Sequence, residues 1–118
     1  MITTPNLYIG LGSAVYALVK SDGHLHNIAS LKARMILMDE PHGELAMQSF
    51  IMREHYNIPA DEAYSFAMRC FVEEKKALKN SLKKYFITLI QKVAEADQQV
   101  SDQEAAFIQH FRRDIHQI

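Results

Sequence analysis

The run LYIGLGSAVYALV, Leu7 to Val19, carries no charged side chain over thirteen residues. A bilayer-spanning helix needs about 20 apolar residues, so this one is too short to cross a membrane. No Lys or Arg precedes it, and no small-residue cleavage pattern follows before the charged loop, which argues against a signal peptide. Wound as a helix, it shows apolar residues on nearly every face, and such a helix is stable only when other helices surround it. The run therefore predicts an all-α compact bundle built around a buried N-terminal helix, with no membrane insertion.

The rest of the chain supplies the surrounding helices. Leu82, Tyr85, Phe86, Leu89, Ile90 and Val93 recur at steps of three and four, while Lys83, Lys84, Thr88 and Lys92 fill the other faces. Phe107, Ile108, Phe111, Ile115 and Ile118 trace a second stripe after Asp97. Ala63, Phe66, Ala67, Cys70 and Phe71 mark a helix beginning after Pro59, with Asp61 and Glu62 facing its N-terminal dipole and Lys75, Lys76 and Lys79 expected near its carbonyl end. Asn80 and Ser81 then break and recap the chain. Ile28, Leu31 and Met35 give a shorter stripe after Asn27, a suitable N-cap, and Leu45 to Tyr56 reads as helix with weaker phase. DEPHGE, Asp39 to Glu44, is the tight connection between those two, punctuated by Pro41 and Gly43. Nothing alternates with period two, so about six helices and no strands are expected.

At 118 residues the chain forms one domain, 1–118, with a single core. A formal net charge of -1 gives no bulk attraction to nucleic acid or to membrane. Cys70, the only cysteine, cannot form an internal disulfide and fits a reducing, cytoplasmic setting. It falls on the apolar stripe of its helix, where a buried structural thiol is expected, as are buried methionines at Met35, Met38, Met47, Met52 and Met68. GLGSAV lacks the lysine and the spacing of a phosphate loop, and no serine elbow or cysteine–histidine pair suggests a nucleophile. No enzyme signature is present. The lysines of KKALKNSLKK have no interleaved aromatics to stack bases, so they read as a basic face that docks a charged partner rather than nucleic acid.

Two stretches carry the functional question. In VAEADQQVSDQEAAFIQHF the carboxylates Glu95, Asp97, Asp102 and Glu104 fall within ten residues. Shifting the N-terminal region that ends in YALVKSDGHLH by 75 positions lays Asp22 on Asp97, Leu11 on Phe86, Ala14 on Leu89 and Leu18 on Val93. The shared outline is a helix, an Asp, an apolar residue and another helix.

These two stretches together resemble the TerB-like domains of tellurite-resistance proteins, which also form the N-terminal part of some membrane-bound J-domain co-chaperones. The likeness runs from about Leu7 to Ile115. The family pattern is an apolar helix ending in Asp-Gly, with a Glu seven residues after the Asp. Here the first copy has Ala29 in place of the Glu, and the second has Gln98 in place of the Gly. The resemblance implies an internal pseudo-twofold repeat of helical hairpins, and an acidic face where two loops bring Asp22, Asp97 and Glu104 around a divalent cation. Oxygen donors suit Ca²⁺ or Mg²⁺, and three carboxylates need carbonyls and water to complete a calcium shell. Zn²⁺ is less suited, although His24 and His26 stand beside Asp22 and imidazole favours it. An EF-hand is excluded, because the closing positions are Ala33 and Ile108.

A metal-free reading competes. Ser101 to Glu104 is S-D-Q-E, a capping box, which accounts for Glu104 without an ion. Two functions are therefore expected: a non-enzymatic TerB-like module that binds a cation and docks a protein partner in tellurite or metal stress response, or a metal-free protein-interaction domain such as a co-chaperone accessory. The partner and the oligomeric state are not written in the sequence.

Overall fold

The computed structural model describes residues 4–21, 27–96 and 100–118. Six helices appear in the order α1 Pro5–Lys20, α2 Asn27–Met38, α3 Gly43–His55, α4 Ala60–Glu73, α5 Asn80–Glu95 and α6 Asp102–His116, with no strand among the described residues. The all-α bundle is as the sequence predicts.

Helix α1 is the axis. Every residue from Gly10 to Val19 is buried. Its small residues let two helices approach closely. Gly12 faces the backbone of α3 so tightly that a Cβ there would lie 2.0 Å from the Ala46 carbonyl oxygen. The Ser49 hydroxyl donates to the Ile9 carbonyl at 2.6 Å on that seam, and Ser13 donates to the Ala63 carbonyl of α4 at 2.7 Å on the other. GLGS is thus a helix-crossing sequence. Aromatic rings fill the remaining space: Tyr16 meets Phe50 edge-on at 5.6 Å, and Phe71 meets Phe86 at a tilt at 5.6 Å and Phe111 edge-on at 6.2 Å.

On α5 the predicted stripe holds, with Phe86, Leu89, Ile90 and Val93 buried. Lys83 departs from its expected outer position. It is buried, and its ammonium donates to the Ile118 carbonyl at 2.7 Å while its methylene stem packs inside. Helix α4 stops at Glu73, so Lys75 and Lys76 lie in the turn that follows and Lys79 beyond it, rather than at the carbonyl end of α4. Asn80 and Ser81 begin α5, with Lys79 at the N-cap position.

Helix α2 is the largest correction. Ile28, Leu31 and Met35 point to solvent, 62%, 51% and 62% exposed, and the buried face is made of Ser30, Ala33 and Leu37. The small Ser30 and Ala33 let α2 lie close against its neighbours; Leu37 and, in part, Ile36 fill the space beside them, while Ile28, Leu31 and Met35 are left outside. Met38 and Met52 are exposed too, so of the methionines expected in the core only Met47 and Met68 pack against it.

The turn between α3 and α4 has a complete Schellman closure. Asn57 takes a left-handed backbone with φ 51°, its N–H donates to the Glu54 carbonyl at 3.0 Å, and Ile58 N–H donates to the Arg53 carbonyl at 3.0 Å. Lys20 donates to the Asn57 side-chain oxygen, and the Tyr16 hydroxyl reaches the Ile58 carbonyl at 2.8 Å. These bonds tie the turn to α1.

The helix ends follow the 75-residue shift. Pro5 and Lys20 map onto Asn80 and Glu95, the ends of α5, and Asn27 maps onto Asp102, the start of α6. The surroundings do not repeat, since α1 is buried on nearly all sides whereas α5 keeps an exposed face.

Candidate functional site

Of the three carboxylates expected around a cation, Asp22 and Asp97 lie outside the described residues, as do His24 and His26. Glu104 is described. It is 6% exposed and closes a full capping box: its Oε1 accepts from the Ser101 N–H at 3.1 Å, and the Ser101 hydroxyl accepts from the Glu104 N–H at 3.0 Å. The box satisfies two backbone donors of α6 that have no intrahelical partner.

The helices flanking the two bends meet. The Lys32 ammonium of α2 donates to the Ala96 carbonyl, at the C-terminal end of α5, at 3.1 Å. A cation there complements both the free carbonyls and the negative end of the helix dipole. Lys32 thus puts a positive charge beside the acidic bend. Among the described residues, no group of three or more His, Cys, Asp or Glu is arranged to hold a metal ion.

Two features were not anticipated. Ile28, Leu31, Met35 and Met38 form one exposed line along α2, spaced three, four and three residues apart. That is the a/d rhythm of a coiled-coil seam. The only charges within α2 are Lys32 and Arg34, both positive and each beside the line. The spacing was legible in the sequence; its outward direction was not.

The second feature is a groove of about 170 Å³ between the end of α3 and the start of α4, lined by Met52, Arg53, Tyr56, Ile58, Glu62, Phe66 and Arg69 among others. The Arg53 guanidinium stacks over the Phe66 ring at 4.1 Å from its centre, with Arg69 at 5.9 Å. Arg53 also donates to the Ser49 carbonyl at 3.2 Å. Desolvation lowers its pKa below the usual arginine value. Burial raises that of the nearby Cys70 thiol, with Glu73 adding to the shift. Cys70 is a buried, poorly ionised thiol, as its stripe position suggested.

Elsewhere, hydroxyl–carboxylate pairs tie α5 to the α2–α3 connection and α4 to α6. Tyr85 donates to Glu40 at 2.6 Å, with Lys92 3.8 Å from the same carboxylate, and Tyr64 donates to Asp114 at 2.5 Å. Burial first, and then these bonds, push both phenol pKa values well up. No helix among the described residues is long and apolar enough to cross a membrane.

No protein-family model, curated protein or solved structure matches the chain. The TerB-like resemblance stands on the quoted residues alone.

Proposed function

We propose that this chain is a non-enzymatic protein-interaction module of the TerB-like kind, acting in the cytoplasm, and that the exposed face of α2 is where it docks. The observation that carries the reading is the line Ile28, Leu31, Met35, Met38, four large apolar side chains each more than half exposed at heptad spacing. A period of three and four is matched by another helix. The flanking charges select its chemistry. Lys32 and Arg34, with no acid in α2, favour an amphipathic helix whose apolar seam is bordered by Asp or Glu. They disfavour a second copy, because two α2 helices placed face to face would bring like charges together.

The test uses a synthetic helix with Leu at a and d and Glu at the bordering positions, titrated into the full chain. Saturable binding is expected, abolished by Leu31→Glu or Met35→Glu with the melting temperature unchanged, since exposed substitutions shift stability by about 0.5 kcal/mol or less. Absence of binding, binding that survives both substitutions, or dimerisation of the chain through this face would refute the proposal.

A cation at Asp22, Asp97 and Glu104 is the second reading. It is favoured by the Lys32–Ala96 bond, which draws together the helices flanking the two bends. Against it, Lys32 already supplies a positive charge there and Glu104 is engaged as a cap. Excess Ca²⁺, Mg²⁺, Mn²⁺ or Zn²⁺ is expected to raise the melting temperature of the native chain, but not of Asp97→Asn with Glu104→Gln, if an ion binds. Glutamine preserves the cap, so the double variant separates charge from capping. A role in tellurite or metal stress rests on the resemblance alone.

A further inference from the structure

We propose that the α3–α4 groove is a binding site for a carboxylate carried on a short apolar or aromatic stem. It lies on elements other than α2, and its success or failure is independent of the docking reading.

The cationic side of the groove is built, not incidental. Arg53 is held by its bond to the Ser49 carbonyl and by the Phe66 face, so its fork is oriented before any ligand arrives. Arg69, one turn after Phe66 on α4, faces the same ring from farther out. Among the described residues neither guanidinium has an acidic partner within 4 Å, although ion pairs form at Lys92 and Arg113. A stacked, partly desolvated arginine without a carboxylate has unused donors, and the planar fork fits a carboxylate through two parallel hydrogen bonds.

The other wall fixes the rest of the ligand. Met52 and Tyr56 leave 57% and 68% of their surface exposed at the rim, and Ile58 forms apolar lining held in place by the Schellman turn and the Tyr16 bond. A volume near 170 Å³ is well below the roughly 300 Å³ at which drug-sized pockets begin. It takes an end group, a carboxylate plus one side chain, rather than a whole cofactor. Glu62 on the same groove opposes a doubly charged phosphate and can accept from an N–H next to the ligand's carboxylate. Two sources share this chemistry: a small free acid, or the C-terminal residue of a peptide.

The experiment titrates the full chain by ¹H–¹⁵N NMR, following the Arg53 and Arg69 Nε–H signals, with 3-phenylpropionate, a short peptide ending in phenylalanine, the same peptide as its C-terminal amide, and inorganic phosphate. Both acids are expected to shift these signals saturably, and the amide and phosphate to bind at least about tenfold more weakly. Arg69→Gln is expected to weaken the acids by about tenfold at unchanged melting temperature, and Arg53→Gln to act in the same direction. Tighter binding of the peptide acid, with the advantage lost in Glu62→Ala, which removes the acceptor, identifies a chain terminus as the source; equal binding identifies the free acid. An amide or phosphate that binds as well as the acids, or no saturable shift with either acid, overturns the proposal.

Discussion

Gly12→Ala tests the claim that the α1–α3 crossing sets the packing of the whole bundle. The added Cβ would lie 2.0 Å from the Ala46 carbonyl oxygen, 2.8 Å from its carbon and 2.9 Å from Ser49 Cβ. Two of these are backbone atoms that cannot rotate away, so the helices must separate by about 1 Å before any tolerable contact is reached, and overpacking of this kind costs about 1–3 kcal/mol. The same movement takes the 2.6 Å Ser49–Ile9 bond out of range, a further loss of roughly 1 kcal/mol. Alanine's better helix propensity returns about 1 kcal/mol. The net expectation is a destabilisation of about 1–3 kcal/mol, which for a chain of this size lowers the melting temperature by roughly 4–12 °C. Thermal melting followed by circular dichroism reads this directly. Gly10→Ala is the milder comparison: its Cβ would meet Cys70 Cβ at 2.9 Å, Phe71 Cε1 at 3.0 Å and the Ala67 carbonyl oxygen at 3.3 Å, none as close as the 2.0 Å contact at Gly12, so its loss should be smaller. A Gly12→Ala chain as stable as the native one, or more so, would show that α1 and α3 do not cross as closely as described.

Among the described residues the buried Ser30 hydroxyl has no hydrogen-bond partner, so Ser30→Ala is expected to stabilise by about 1 kcal/mol in urea denaturation, through removal of an unsatisfied group and gain of helix propensity. Asn57→Ala forces a Cβ-bearing residue without a compensating side-chain bond into φ 51° and removes the Lys20 contact; a loss of roughly 1 kcal/mol in the same assay is expected. Tyr64 and Tyr85 hold their protons above the ordinary phenol pKa of 10.0, so the folded state binds more protons than the unfolded chain at high pH. Their contribution is fully present below pH 10 and is lost as the pH rises beyond it, and the Cys70 thiol, also raised, adds a loss that begins near its ordinary 9.0. Urea midpoints measured from about pH 8 to about pH 11 should fall, and Tyr64→Phe with Tyr85→Phe should flatten the decline.

The Leu7–Val19 run determined the central helix, because thirteen uncharged, largely apolar residues have no stable home at a surface. The stripes of α4, α5 and α6 were legible for a similar reason: their apolar spacing leaves one dense face to bury. The S-D-Q-E cap was also fully local, since both of its hydrogen bonds close within four residues.

Helix α2 was different. Its exposed apolar residues, Ile28, Leu31, Met35 and Met38, lie on a different face from the small Ser30 and Ala33 and the buried Leu37, and hydrophobicity alone favours burying the longer apolar line. Only the distance allowed by the crossing with its neighbours decides that the small face goes inward. Lys83 was misplaced for the same kind of reason, because its partner is the Ile118 carbonyl, 35 residues away. The groove of Arg53, Phe66 and Arg69 joins two helices through a turn whose left-handed Asn57 has no periodic signature. Periodicity reports which face of a helix is apolar, but which face is covered depends on how near the neighbouring backbones come, and that is a property of the assembled helices alone.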